Sequence, residues 1–191
     1  MNEAQLETVL RDAQMGNAVA FGEVYGEFSS RVFGLCRKML GSRAAAEDAT
    51  SEVFERAYES LASYDHERPF DRWILTIASR HCLNKLRRAK LERRLFREEP
   101  SDHHGNLRAG APAPTPLTAL ETKQERRQLL DAIDALPDNY RLPLVLRYYS
   151  DLSYDEIAAQ LGTNRNNVAV LLHRAKLELR RRVANLRKDD Q

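Results

Sequence analysis

Apolar positions recur every three or four residues along almost the whole chain, which is the spacing of amphipathic helices and not of strands. Leu6, Val9 and Leu10 open a short helix. Phe21, Val24, Tyr25 and Phe28, followed by Val32, Leu35, Cys36 and Met39, carry a second helical pattern to Gly41, a helix-stopping residue. Ala49, Val53, Ala57 and Leu61 mark a buried stripe on a third helix. Asp48, Glu52, Glu55 and Glu59 run beside it at spacings of four, three and four, a continuous acidic line. After the loop SYDHERPF, Pro69 suits the first turn of the next helix, which extends from about Phe70 to Arg88 or on to Arg97. Its expected inner side takes Ile74, Ile77, Ala78, Cys82 and Leu86, while Thr76, Arg80, Asn84 and Arg87 share one outer line. Trp73, the single tryptophan, reads as core packing.

The period lapses from Glu99 to Thr118, which holds four of the seven prolines and two of the eight glycines. Such a stretch reads as an extended linker. The expected fold is therefore all-α, with two small helical domains at 1–98 and 119–191 joined by a Pro-rich linker at 99–118. Beyond it, Leu120 to Leu136 is an amphipathic helix ended by Pro137, and Asp138 to Tyr149 is another, expected to kink at Pro143. Ser153 and Glu156 form a capping box for a short helix with Ile157, Ala158 and Leu161 inside. Gly162 supplies a turn, and Thr163 or Asn164 caps a longer helix whose inner face is Val168, Leu172, Ala175, Leu179 and Val183. Short helix, glycine turn and long basic helix is the layout of a helix-turn-helix, although an ordinary helical hairpin has similar periodicity.

Charge sharpens this picture. The formal net charge is only +2, but it sums opposed blocks. Ala44 to Glu59 holds five acidic residues against one basic, and Arg80 to Arg97 and Thr163 to Lys188 each hold eight basic against one acidic. Of 30 basic residues 24 are Arg, the side chain best shaped for forked contacts to phosphate and guanine. Two basic blocks and one acidic block imply two kinds of partner, a polyanion and something else. No apolar run approaches the roughly 20 residues of a membrane span, and Glu3, Glu7 and Asp12 are foreign to a secretory signal, so a cytoplasmic protein without membrane insertion is expected. Cys36 and Cys82 read as buried small hydrophobes. The adjacent pairs His103–His104 and His81–Cys82 do not make a four-ligand metal site. Without a Gly-rich phosphate loop, an HExxH motif or a nucleophile elbow, no catalysis, metal or cofactor is expected.

The stretches FGEVYGEFSSRVFGLCRKMLG, AAAEDATSEVFERAYESL and RPFDRWILTIASRHCLNKLRR, with IDALPDNYRLPLVLRYYSDLSYDEIAAQLG and VAVLLHRAKLELRRRV, resemble in order and spacing an extracytoplasmic-function (ECF) type sigma factor of bacterial RNA polymerase. That resemblance implies a non-catalytic subunit that binds core polymerase and directs transcription from promoters by recognising −35 and −10 elements. It implies docking of Asp48, Glu52 and Glu55, with Phe54 as an apolar anchor, on the β′ clamp helices. It implies −10 reading by Arg80, Asn84, Lys85, Arg87 and Arg88, with Tyr64, Asp65 and Phe70 in the loop that captures a flipped base. The second domain then holds the β flap and reads the −35 element through Thr163, Arg165, Asn166, Asn167, His173 and Arg174. Between them the chain departs from the family: Ala169, Val170 and Leu171 stand where Lys or Arg, Ser and Arg are common. These side chains can meet thymine methyls but cannot anchor phosphate, or they form an apolar patch for a protein partner. An anti-sigma protein is a further partner the resemblance implies. The rival readings are a stand-alone helix-turn-helix regulator and a sigma-like interaction module with weakened −35 reading.

Overall fold

The computed structural model describes residues 1–95 and 127–189. The linker expected at 99–118, with His103 and His104, lies outside the described residues. Among the described residues every regular element is a helix. The chain divides into two compact units, Met1–Pro100 with Tyr149–Leu152, and Ser101–Tyr148 with Ser153–Gln191.

The first unit is built from α1 (Glu3–Gln14), α2 (Ala18–Leu40), α3 (Arg43–Ser60) and α4 (Phe70–Leu95), with a single 3-10 turn at Leu61–Ser63. Local chemistry sets the ends. Asn2 caps α1 in a reciprocal box with Gln5, and Asn17 Oδ1 accepts from the backbone of Val19 and Ala20 at the start of α2. Gly41 closes α2 in the left-handed region at φ 75°, where a side chain would be strained, and Ser42 at once caps α3. α2 packs against each of the other three helices, and α3 packs against α4. Val24, Val32, Leu35 and Met39 of α2 thus meet Ala46, Ala49, Val53 and Ala57 of α3 and Ile74, Leu75, Ala78 and Cys82 of α4 in a closed core. Burying an aliphatic side chain of this size is worth roughly 1.5–3 kcal/mol.

The buried side of α4 is broader than the apolar period indicates. Leu75, Ser79, His81 and Leu83 are also buried, while Ile77 and Leu86, expected inside, are half-buried. The cause is tertiary: α4 meets α2 and α3 together, so two flanks are covered and polar Ser79 and His81 are enclosed.

In the second unit, helical residues 127–134 (α5) are followed by α6 (Asp138–Tyr148), α7 (Tyr154–Leu161) and α8 (Arg165–Asp189). Pro143 lies inside α6 and is buried with Leu144, Val145 and Leu146. Leu136, Leu144 and Ala175 form a core cluster, with Ile133, Tyr140 and Leu179 against it. Ser153 Oγ accepts from Glu156 N while the Glu156 carboxylate accepts from Ser153 N at 2.7 Å, completing the capping box of α7. Gly162 ends α7 at φ 68°, and Asn164, not Thr163, caps α8, its Oδ1 accepting from Asn167 N at 2.8 Å. Val168, Leu172 and Ala175 on the inner face of α8 are at most 1% exposed.

Apart from its chain neighbours, a side-chain methyl at Gly162 would meet nothing within 4 Å, so substitution there tests backbone strain. Gly162→Ala is expected to destabilise the chain by about 1 kcal/mol, and Ser153→Ala by a similar ~1 kcal/mol. Urea unfolding of the full chain followed by circular dichroism measures both.

Candidate functional site

Three surfaces gather the residues singled out in the sequence. The first is the outer face of α3. Asp48, Glu55 and Glu59 are exposed, and Glu52 between them is half-buried. Phe54 does not project from this line: it is 4% exposed and its ring packs on Phe21 and Tyr25 at centroid distances of 6.3 and 4.6 Å. The exposed aromatics of the α2–α3 face are Tyr25 and Tyr58. Tyr58 stands one turn after Glu55 and packs edge-on against Phe21 at 4.9 Å. The sequence signal for Tyr58 was its place four residues after Phe54. Helical spacing cannot say which of two neighbouring rings turns inward.

The second surface is the outer line of α4. Arg80, Asn84, Arg87 and Arg88 are exposed, and Arg87 Nη1 donates to Asn84 Oδ1 at 3.2 Å. Lys85 turns towards α3, its Nζ 2.5 Å from Glu52 Oε1. Between the two helices lies a cleft of about 330 Å³. Four cations line it, Arg56 from α3 and Arg80, Lys85 and Arg88 from α4, together with Asn84 and His81. Glu52 is the one carboxylate among its lining residues. The Lys85 ammonium holds the Glu52 carboxyl below the ordinary carboxylate range. Burial pushes the His81 imidazole below its usual value, outweighing the attraction of Glu52. His81 Nε2 lies 3.1 Å from Glu52 Oε2 without the alignment of a hydrogen bond, so it is a buried, neutral ring beside the carboxylate. Arg56 and His81 were not legible as site residues. Arg56 is a lone cation in an acidic block, and only the crossing of α3 and α4 brings it beside Arg88.

The loop before α4 differs from the expectation. Tyr64 and Phe70, the aromatic candidates for stacking on a base, are 7% and 3% exposed. They form a cluster with Phe28 and Trp73, with neighbouring centroids 5.0–5.3 Å apart. Gln14 at the end of α1 pins this loop, donating to the carbonyls of Leu61 and Tyr64 at 2.9 and 3.0 Å, with its Oε1 2.7 Å from His66 Nε2. Both rings are core residues here, packed on each other and on Phe28 and Trp73. Asp65 is exposed, its Oδ1 accepting from Glu67 N at 3.0 Å.

The third surface is α8 with the turn before it. Arg165 reaches back to Asp155 of α7 at 2.7 Å, and Asn167 Nδ2 donates to Thr163 Oγ1 at 2.8 Å, so these residues tie the turn together. Asn166, Val170, His173, Arg174 and Leu177 are exposed at helical spacing on one face, with Ala169 beside them and Leu171 half-buried. Cations and apolar side chains share that face.

Known proteins carry the same parts. Sigma-70 region 2 matches residues 24–92, from within α2 to near the end of α4. Sigma-70, region 4 matches residues 126–179, from α5 into α8. The helices and these two regions are those of a sigma-70-type subunit. The chain is similar to the ECF RNA polymerase sigma factor SigW of Bacillus subtilis, with 27% identity over 186 residues, 96% of this chain and 100% of that one. It is similar to the ECF RNA polymerase sigma factor BldN of Streptomyces coelicolor, with 29% identity over 181 residues, 94% of this chain and 66% of that one. The chain belongs to the ECF-type sigma factors of bacterial RNA polymerase. As such it is a non-catalytic specificity subunit that binds the polymerase and directs promoter recognition. Two solved structures share the fold. CnrH, in complex with the cytosolic domain of CnrY, has a TM-score of 0.55 at 20% identity, covering 98% of this chain and 99% of that one. The sigma factor RpoE from Bartonella quintana, in complex with the anti-sigma factor NepR, has a TM-score of 0.58 at 16% identity, covering 86% and 96%. Among the described residues no helix is long and apolar enough to cross a membrane.

The buried His81 generates a pH prediction. Its folded pKa lies below the unfolded value of about 6.5, so the unfolded chain takes up a proton first as pH falls. Its contribution to stability is complete above that value and is lost as pH drops through it towards the folded pKa. His81→Gln is expected to flatten the fall in melting temperature between about pH 7.5 and about pH 5.5, as read by circular dichroism.

Proposed function

We propose that the first unit docks on the polymerase through α3 and reads the −10 element through α4, while the second unit holds the β flap and reads the −35 element as a helix-turn-helix formed by α7, Gly162 and α8. The observation that carries this is the separation of charge between two packed helices: an exposed acidic line on α3 and an exposed line of Arg80, Asn84, Arg87 and Arg88 on α4. Opposite charges so close together on one rigid unit suit two partners of opposite sign held side by side. Asp48, Glu52 and Glu55 face the β′ clamp helices. Tyr25 and Tyr58, and not Phe54, supply the apolar contact, since a ring must be exposed to be covered. On α4 the arginines hold phosphate and Asn84 offers a donor and an acceptor to a base edge. Capture of a flipped base by the loop of Tyr64, Asp65 and Phe70 requires that loop to open first, because both rings start inside the core.

In the second unit Asn166, His173 and Arg174 face the major groove, with Thr163, Arg165 and Asn167 shaping the start of the recognition helix. Val170 is 46% exposed in the middle of that face, where it meets a thymine methyl. The sequence domains at 1–98 and 119–191 act as the two arms, joined through the Pro-rich segment 99–118. The protein works in the cytoplasm, where its polymerase is. An anti-sigma partner belongs to the same reading, supported by family membership and by a relative of like fold that is bound by one.

Run-off transcription with purified core polymerase on a randomised promoter library tests the whole reading. Transcripts that depend on this chain support it, and duplex binding without any such transcript overturns it in favour of a stand-alone regulator. Asp48→Lys with Glu55→Lys is expected to weaken core binding about tenfold, chiefly by slowing association, with the circular dichroism of the chain unchanged. Asn84→Ala is expected to alter −10 preference by about 1–3 kcal/mol at one base position; a uniform loss over all promoters makes Asn84 structural instead.

A further inference from the structure

Glu52 belongs to two surfaces at once. By its spacing it is part of the acidic line of α3, between Asp48 and Glu55. By its contacts it sits in the α3–α4 cleft, bound to Lys85 at 2.5 Å and beside His81 at 3.1 Å. Every other charged group lining that cleft, apart from the neutral His81, is a cation: Arg56, Arg80, Lys85 and Arg88. A pocket of cations closed by one internal carboxylate is occupied by a stand-in for an external anion.

We infer that the α3–α4 cleft seats a backbone phosphate of the promoter strand, and that Glu52 fills this seat in the free protein and vacates it when the acidic face of α3 meets a basic partner. The inference rests on the reading of α3 as a docking face and α4 as a DNA face. Three observations carry it further. The cleft opens beside Arg80, Asn84 and Arg88, so a strand lying along α4 passes its mouth. The Glu52 and Lys85 side chains are 41% and 32% exposed, so water reaches the pair and an exposed pair of this kind is weak enough to exchange partners. A basic surface facing Asp48 and Glu55 offers Glu52 another cation within a rotamer change, and Lys85 is then left for phosphate. The coupling is reciprocal by linkage: whatever draws Glu52 outward raises affinity for nucleic acid, and phosphate on Lys85 makes Glu52 available to the partner. Free protein is thereby biased against binding nucleic acid before it has met polymerase.

Fluorescence anisotropy with the full chain and a fluorescein-labelled oligothymidylate about 12 nucleotides long tests this. Glu52→Gln keeps the shape of the side chain and removes its charge. It is expected to raise affinity about fivefold and to steepen the slope of log affinity against log salt by about 0.7, one extra phosphate contact. Glu52→Gln with Lys85→Ala is expected to return to the wild-type affinity. Glu23→Gln, at an exposed carboxylate on α2 outside the cleft, makes the same change in net charge and is expected to stay within about twofold. The inference is overturned if Glu52→Gln leaves affinity unchanged, if Glu23→Gln matches it, or if Lys85→Ala does not reverse the gain. Arg80→Ala with Arg87→Ala separates the two failures. If that variant weakens oligonucleotide binding while Glu52→Gln has no effect, the DNA face stands and only the seat is lost. If it too has no effect, the assignment of α4 as the DNA face falls as well.

Discussion

The first unit depends on one constraint, the burial of α4 against α2 and α3 together. A helix covered on two flanks can lodge charge only on what remains. Ile74, Leu75, Ala78, Ser79, Cys82 and Leu83 take the covered positions, so Arg80, Asn84, Arg87 and Arg88 are forced onto the one open strip. The same packing brings α3 alongside with its own open strip, which is acidic. Hydrophobic burial thus fixes the relative positions of the two charged faces, and electrostatics then acts between surfaces already in place.

Where those faces meet, their charges interact within the molecule before any partner arrives. Glu52 and Lys85 lie at the shared edge and pair across it, and burial keeps His81 neutral beside them. A carboxylate that completes the acidic line of α3 and also holds a cation of the neighbouring helix makes the two surfaces electrostatically dependent on each other. In the second unit the corresponding economy is one of turn chemistry. Arg165, Asn167 and Thr163 hold the junction between α7 and α8, and the outward face of α8 begins at Asn166 and carries the exposed Val170.

The sequence alone determined much of this. Helix period, the breaks at Gly41 and Gly162, and the capping box of Ser153 and Glu156 act through neighbours at most four residues away, so local pattern contains them. The acidic line and the cationic line are legible for the same reason: each is a single helix face. Tertiary structure alone decided which way the rings turn, since Phe54 packs on Phe21 and Tyr25 and Phe70 on Phe28, all of α2, while Gln14 of α1 pins the loop that carries Tyr64. It also decided that His81 is enclosed and that Arg56, Lys85 and Glu52 share a cleft. Periodicity gives the angle of a side chain around its own axis, but contact across two helices depends on where the second axis lies, and that is set by the core as a whole.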